Sequence, residues 1–113
     1  MAKVLLAEDD PTMLSLLRTL LKMEGFEVLT LNGESDVPAA VEREKPDVLL
    51  MDVRLGDQNG LEILEAIRRD RELSKLRVVM TSGLNMKDEC LRQGANAFLL
   101  KPFMPDDLLK LLK

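Results

Sequence analysis

The sequence predicts a single α/β domain over residues 1–113, with a mainly parallel β-sheet covered by helices on both faces. Short apolar runs alternate along the chain with segments of helical periodicity, which is the pattern of repeated βα units. The 113 residues are enough for one domain. With 46% hydrophobic and 32% charged residues, the composition is that of a folded globule whose core is aliphatic, because the aromatic residues are three Phe.

The N-terminal half contains the first two βα units and a third strand. Residues 4–7 form an unbroken apolar run, which is typical of a strand buried on both faces. Pro11 predicts the start of the first helix and Gly25 its end, and Asp10 is expected to serve the first turn of that helix. The other elements of this half are predicted as a strand at 26–31, a helix at 37–44 and a strand at 48–51.

The C-terminal half repeats the pattern. Asn59 followed by Glu62 resembles a capping box that opens the third helix, and Pro105 opens the last helix, which is expected to stop at Lys113. The basic residues between positions 68 and 77 are interpreted as a solvated helix end and loop. Strands are predicted at 78–81 and 97–100.

The fourth helix is expected to be short. Asn85 with Asp88 is the predicted cap, and Gly94 the predicted end. The helical spacing would turn Cys90 and Leu91 toward the core, so inert packing is the favoured role of the cysteine.

Composition excludes several classes of function. Without any histidine, the chain cannot carry a phosphohistidine itself, a His-based triad or a His-ligated zinc site. A single cysteine cannot close an intramolecular disulfide, so the cytoplasm is the expected compartment. The net charge of −4 argues against a direct nucleic-acid partner, and no apolar segment is long enough for a signal peptide or a membrane span.

Five polar residues follow the predicted strands and point to phosphoryl chemistry. Glu8 and Asp9 follow the first strand, Asp52 the third, Ser82 the fourth and Lys101 the fifth. In an open parallel sheet, ligands bind beyond the carboxyl ends of the strands, so these side chains should converge. Three neighbouring carboxylates repel one another unless a cation joins them, and an all-oxygen ligand set favours Mg²⁺. An Asp carboxylate in such a site is a competent nucleophile toward phosphorus.

The residues at these positions resemble the receiver domains of bacterial two-component response regulators. The matching strings are LLAEDD at 5–10, LLMDVR at 49–54, NGLE at 59–62, TSG at 81–83, GA at 94–95 and KPF at 101–103. The resemblance spans nearly the whole chain in order. It implies a flavodoxin-like fold in which five parallel strands lie in the order 2-1-3-4-5.

The resemblance also assigns the acidic residues. It implies that Asp52 accepts a phosphoryl group from a phosphohistidine on a sensor histidine kinase or phosphotransfer protein. Asp9 would bind Mg²⁺, or Mn²⁺, directly, together with Asp52 and the backbone carbonyl of Arg54. Glu8 would bind the ion through water.

Further roles are implied for residues near the ends of the last two strands. Ser82 would be the switch hydroxyl, with Gly83 small enough to leave room for the phosphoryl group. Lys101 would bind that group, and a cis bond before Pro102 would orient it. Phe98 stands where the family often has an aromatic that changes rotamer, although buried filler is an equally good interpretation. An output domain or a downstream protein would respond to the change that phosphorylation causes in the interaction face.

Four departures from the family pattern concern the loops and the output side. Gly56 replaces a usual proline, which should loosen the loop after Asp52. Only 19 positions separate Ser82 from Lys101, so the fourth helix should be shortened to a length on the order of 12 Å. Met104 stands where a capping Asp is common, and the fifth helix is short as well.

Two other functions stay open. The chain could be a receiver-like interaction module that acts without phosphorylation, since the fourth helix is short. It could instead be a phosphatase with an Asp nucleophile, although Arg54 stands where dehalogenase-like phosphatases place a second acid. We expect no enzymatic activity beyond the chain's own phosphorylation and dephosphorylation.

Overall fold

A central parallel sheet with helices on both faces organises the chain in the computed structural model, which describes residues 2–112. The end predicted at Lys113 for the last helix lies outside this range. The elements follow one another as β1 (Lys3–Ala7), α1 (Pro11–Met23), β2 (Glu27–Leu31), α2 (Val37–Glu44), β3 (Val48–Asp52), β4 (Arg54–Leu55), β5 (Gln58–Asn59), α3 (Gly60–Arg69), β6 (Arg77–Ser82), α4 (Lys87–Arg92), β7 (Ala97–Leu100) and α5 (Pro105–Leu112).

The strand order of the sheet is β2-β1-β3-β6-β7, and all neighbouring pairs are parallel. These five strands are the five that the sequence predicts, so the expected 2-1-3-4-5 order is confirmed. Ala7 pairs with Met51, and Asp52 pairs with Thr81. The register therefore brings the carboxyl ends of β1, β3 and β6 to one edge of the sheet.

Two apolar cores lie on opposite faces of the sheet, because neighbouring residues of a strand point to opposite faces. Along β1, Leu5 belongs to one core and Leu6 to the other, and both are essentially fully buried. The first core packs β-sheet residues against α2, α3 and α4, and the second packs them against α1 and α5. Strands covered on both faces need the continuous apolar runs seen in the sequence.

Side-chain caps start three of the helices where the sequence indicates. Asp10 Oδ1 accepts hydrogen bonds from the backbone N–H groups of Thr12 and Met13 at the start of α1, at 2.9 and 3.3 Å. Asp36 caps α2, and Asn59 caps α3. Asp10 therefore caps the first turn of α1, as expected. Its carboxylate accepts hydrogen bonds from backbone N–H groups that have no partner within the helix.

The fourth helix differs from the prediction at its start and in its buried face. Its N-cap is Met86, whose side chain makes no capping bond, while Asn85 Oδ1 accepts from the N–H of Lys87 at 3.3 Å. Leu91 is 40% exposed, so the expectation that it turns inward is wrong. A helix of six residues has fewer than two turns, and Cys90 alone of its residues is fully buried.

Cys90 behaves as a core residue. Its side chain is fully buried in the core formed with α2 and α3. Burial, with a smaller contribution from the charge of Glu89, raises the pKa of the thiol to about 11. The thiol therefore stays protonated at neutral pH, which agrees with the packing role that the sequence favours.

Arg68 is not the solvated residue that the sequence suggests. Its Nε donates to the carbonyl oxygen of Gly94 at 2.8 Å, and its Nη1 donates to the carbonyl oxygens of Ser74 and Leu76 at 3.0 and 2.6 Å. Its Nη2 donates to Asn96 Oδ1 at 3.0 Å. One half-buried guanidinium thus joins the end of α3 to the loops that precede β6 and β7.

A short antiparallel hairpin, β4–β5, follows the third strand and was not predicted. Arg54 pairs with Asn59, and Leu55 with Gln58. Gly56 begins the two-residue turn with a φ of +60°, a left-handed conformation that favours glycine and that proline cannot adopt. The structure therefore contains an ordered turn at the position where we expected a loosened loop.

Gly60, the first residue of α3, lies against the end of β3. A Cβ at this position would collide with the carbonyl oxygen of Asp52 and would lie 2.9 Å from that of Val53. Both atoms belong to the backbone and cannot rotate away. Because Gly60 has no side chain, α3 can begin in close contact with the backbone of Asp52 and Val53.

We predict that Gly60→Ala lowers the free energy of unfolding by about 2 kcal/mol, because backbone must move to admit the methyl group. The measurement is urea denaturation followed by circular dichroism. Gly83→Ala is the matched control, since a Cβ there would meet nothing within 4 Å and its stability should be nearly unchanged. Equal stability of the two variants would contradict the close approach at Gly60.

Candidate acidic and lysine site

Three carboxylates meet where β1 and β3 end. Glu8 and Asp9 directly follow β1, and Asp52 is the last residue of β3. Each offers one oxygen, and these three oxygens lie within 4.8 Å of one another. Glu8 is 3% exposed and the Asp52 side chain 12%, whereas Asp9 is exposed. The site is therefore an anionic pocket with two deep acids and one acid at its mouth.

Lys101 compensates part of this negative charge. Its Nζ donates to Asp52 Oδ2 at 2.8 Å and to Glu8 Oε2 at 3.0 Å. The side chain is 19% exposed, so both ion pairs are shielded from solvent. Lys101 follows β7, and its peptide bond to Pro102 is cis, as the family resemblance implies. The structure thus brings together residues 93 positions apart in the chain.

Two charged residues of the site, Glu8 and Lys101, have shifted pKa values. Burial raises the pKa of Glu8 and outweighs the opposing effect of the hydrogen bond and charge of Lys101. Burial alone would lower the pKa of Lys101, but its hydrogen bonds to Asp52 and Glu8 raise it above the ordinary value of 10.5. Lys101 is therefore charged at neutral pH, while the ionised form of Glu8 remains disfavoured by its burial.

The β4–β5 hairpin contributes a hydrogen bond to Asp9. The backbone N–H of Gly56 donates to Asp9 Oδ2 at 3.0 Å. A proline at position 56 would have no N–H to donate. The departure from the usual family residue therefore provides a hydrogen bond to one of the three acids.

The donor set fits a small hard cation. Carboxylate oxygens are the ligands that Mg²⁺ prefers, and neither thiolate nor imidazole is present among the three residues. Oxygens that share one Mg²⁺ lie about 3 to 4 Å apart, close to the spread found here. Glu8, Asp9 and Asp52 could therefore hold the ion with little rearrangement.

The remaining sequence-predicted residues lie at or near this edge of the sheet. Ser82 is the last residue of β6 and is buried, and its Oγ accepts from the N–H of Leu84 at 3.0 Å. Arg54 has an exposed side chain in β4, two residues beyond Asp52. Phe98 lies in β7, half-buried against the core that contains α4. The roles expected for these three residues stay predictions.

Sequence reasoning missed the backbone groups of the site. The N–H of Gly56 was not anticipated as a partner of Asp9, nor was Gly60 anticipated as the residue that admits α3 beneath Asp52. A signal for the hairpin was present, because Gly56 and Asp57 form a favoured two-residue turn. The flanking strands have two residues each, too few to show an alternating pattern.

Comparison with protein families finds the response regulator receiver domain over residues 4–113. The chain is similar to protein PilH of Pseudomonas aeruginosa, with 33% identity over 97% of this chain and 93% of that protein. It is 30% identical over 94% of its length to the DNA-binding response regulator MtrA of Mycolicibacterium smegmatis, but covers 46% of that longer protein.

Solved structures of related proteins have the same fold as this chain. The chemotaxis response regulator CheY4 of Vibrio cholerae superimposes with a TM-score of 0.87 at 30% identity, over 97% of this chain and 94% of that one. The receiver domain of the sensor histidine kinase PA1611 of P. aeruginosa gives 0.86 at 28% identity, over 98% and 93%. In that structure a magnesium ion is coordinated in the active-site cleft.

We predict that Lys101→Met lowers the free energy of unfolding by about 2 kcal/mol in metal-free buffer, because two buried carboxylates lose their hydrogen-bonded cation. The loss should shrink as the pH falls toward the raised pKa of Glu8, since protonation removes one of the two charges. Urea denaturation at several pH values measures both effects.

The matched control is Lys75→Met, which removes the same charge from an exposed position before β6. We expect its stability to stay near that of the parent chain at every pH. A Lys101→Met effect no larger than that of Lys75→Met would contradict the compensating role of Lys101.

Proposed function

Because the chain belongs to the response regulator receiver domain family, we propose that it is a signalling switch in which Asp52 accepts a phosphoryl group. The observation that carries this proposal is the position of Asp52 between a buried acid, an exposed acid and Lys101. The carboxylate is the nucleophile, and the surrounding charges suit a site that receives an anionic group. The family implies that phosphorylation controls signalling.

The proposed reaction transfers the phosphoryl group from a histidine of a separate protein. A bond forms between an Asp52 carboxylate oxygen and phosphorus, and the bond from the histidine nitrogen to phosphorus breaks. The product is an acyl phosphate, and the imidazole leaves on the donor. Lys101 lies within hydrogen-bond distance of Asp52 and is charged, so it is placed to stabilise the equatorial oxygens of the transferring group.

Divalent metal complements Lys101 in this proposal. Asp9 and Asp52 would bind Mg²⁺, or Mn²⁺, directly with the carbonyl of Arg54, and Glu8 would bind it through water. When bound, the ion neutralises negative charge on the phosphoryl oxygens. The protein's own contribution is to hold three carboxylates together and to supply a second cation, Lys101, which donates hydrogen bonds to Asp52 and Glu8.

The response would pass through Ser82 and Phe98 to the face around α4 and α5. The Ser82 hydroxyl now accepts a hydrogen bond from Leu84, and its own proton is available for a phosphoryl oxygen. Phe98 lies on the strand next to β6, in register with Met80. Ser82 pairs with Leu100, two residues after Phe98, so movement of Ser82 toward Asp52 would act on the end of β7 and shift a two-state equilibrium on that face.

The partners in this proposal are proteins. A sensor histidine kinase or phosphotransfer protein supplies the phosphoryl group, and an output domain or downstream protein reads the altered face. MtrA is a DNA-binding regulator of which this chain covers less than half, so contact with nucleic acid would come through another domain. Among the described residues, no helix combines the length and hydropathy required to cross a bilayer. We propose a cytoplasmic location and no activity on an external substrate.

We expect the chain to gain one phosphoryl group when it is incubated with acetyl phosphate and Mg²⁺, as measured by intact mass. Asp52→Asn should remove this gain, because an amide oxygen is a poor nucleophile. The control is Asp57→Asn, which changes an exposed aspartate of the β4–β5 turn and should leave the gain intact. Equal labelling of Asp52→Asn and the parent chain would contradict the assignment.

An interaction module that works without phosphorylation is the second candidate, and the exposed apolar residues near α4 favour it. Leu84 is 73% exposed, Leu91 40% and Leu100 48%. Exposed apolar side chains can bind a partner whether or not the chain is phosphorylated. Amide NMR spectra with and without beryllofluoride and Mg²⁺ distinguish the two functions. The switch predicts shifts that extend into α4 and β7, whereas shifts confined to the acidic pocket would favour the constant module.

A further inference from the structure

The turn between β2 and α2 lies against the hairpin that holds Asp9. Gly33 of this turn and Gly56 of the hairpin meet backbone to backbone, so that a Cβ on either residue would lie 2.9 Å from the Cα of the other. The position that a Cβ on Gly33 would take is also 3.1 Å from the Gly56 nitrogen and 3.5 Å from Asp9 Cβ. Only two glycines permit this approach. The turn therefore packs against the Gly56 backbone, whose N–H group donates to Asp9.

Gln58 fastens the two segments together. Its side-chain Nε2 donates to the carbonyl oxygen of Gly33 at 2.9 Å and to that of Ser35 at 2.8 Å. Both hydrogens of the amide are thus used, and both acceptors belong to the same turn. Since Gln58 pairs with Leu55 across the hairpin, its side chain links the turn directly to the segment that carries Gly56.

The turn that Gln58 binds is ordered by its own hydrogen bonds. Asn32 Oδ1 accepts from the N–H of Glu34 at 2.8 Å and from Ser35 Oγ at 3.2 Å. Ser35 Oγ accepts from the N–H of Asn32 at 3.0 Å, and the N–H of Ser35 donates to the carbonyl oxygen of Asn32. These hydrogen bonds hold the turn in one conformation, so the turn can fix the position of the hairpin packed against it.

From this geometry we infer that Gln58 is a positioning residue for the metal ligand Asp9. Gln58 presses the turn onto the hairpin through Gly33, and the contact between Gly33 and Gly56 fixes the N–H that holds Asp9 Oδ2. The inference rests on the proposed function, because it assumes that Asp9 binds Mg²⁺. Gln58 does not touch the ion. Its effect passes through two backbone contacts, as outer partners of metal ligands commonly act.

Two substitutions break this chain of contacts at different points. Gln58→Met keeps the length of the side chain but removes both donors. Gly33→Ala places a methyl group against Gly56 without straining its own backbone, because the φ of Gly33 is not positive. We expect each to weaken Mg²⁺ binding by about tenfold or more, which is the usual effect of losing an outer partner of a metal ligand.

The test measures Mg²⁺ affinity by calorimetry and the amide proton of Gly56 by NMR in metal-free protein. A hydrogen bond to a carboxylate moves an amide proton to high frequency, so both variants should move the Gly56 signal to low frequency. Val48→Ala is the control, because Val48 is buried at the opposite end of β3. It should lower the stability yet leave the affinity and the Gly56 signal unchanged.

The outcomes separate this inference from the proposed function. If the parent chain binds Mg²⁺ and Gln58→Met binds it equally well, with an unmoved Gly56 signal, the positioning role is overturned and the proposed function stands. If the parent chain itself does not bind Mg²⁺, both are overturned. If Gly33→Ala does not fold, Gln58→Met alone still decides between these results.

Discussion

Repulsion among three carboxylates at one edge of the sheet is the constraint on which the site depends. The register of β1 and β3 fixes Glu8, Asp9 and Asp52 close together, and this arrangement would cost stability if nothing positive joined them. Lys101 supplies one positive charge from the far end of the chain. The remaining excess of negative charge suits a divalent cation, which the proposed function requires. The charge distribution that costs stability is therefore the same one that fits the cluster to a cation.

The positions of the acids and of Lys101 could be predicted because they follow from local rules. A strand buried on both faces reads as an unbroken apolar run, so the first polar residue after the run marks its end. Glu8 after β1 and Lys101 after β7 were found in this way, and the parallel arrangement places such ends at one edge. The strand order needed more. It was implied by the family resemblance, since the periodicity of single elements does not say which strands are neighbours.

What the sequence did not predict consists of contacts between segments that are distant in the chain. Arg68 lies among basic residues that look solvated, and only the approach of the Gly94 and Leu76 carbonyls makes it a half-buried support. Gly56 in place of a proline predicts a loosened loop, but its close contact with the turn at Gly33 is not visible in the local sequence. Leu91 has the spacing of a buried residue, but α4 is too short to press it onto the sheet. In these cases the surrounding structure, and not the local sequence pattern, determines the environment of the residue.

The hydrogen bonds of Arg68 also respond differently to pH and salt from the ion pairs of the acidic site. Its guanidinium donates to three backbone carbonyls and one side-chain amide, and none of these acceptors ionises. Dissolved ions screen pairs of charges but leave such dipolar contacts nearly intact. The contacts that Arg68 makes between α3 and the loops before β6 and β7 therefore depend less on acidity and ionic strength than the ion pairs of Lys101 do. Conditions that change the charge of the acidic site therefore leave this connection between the third helix and the two loops in place.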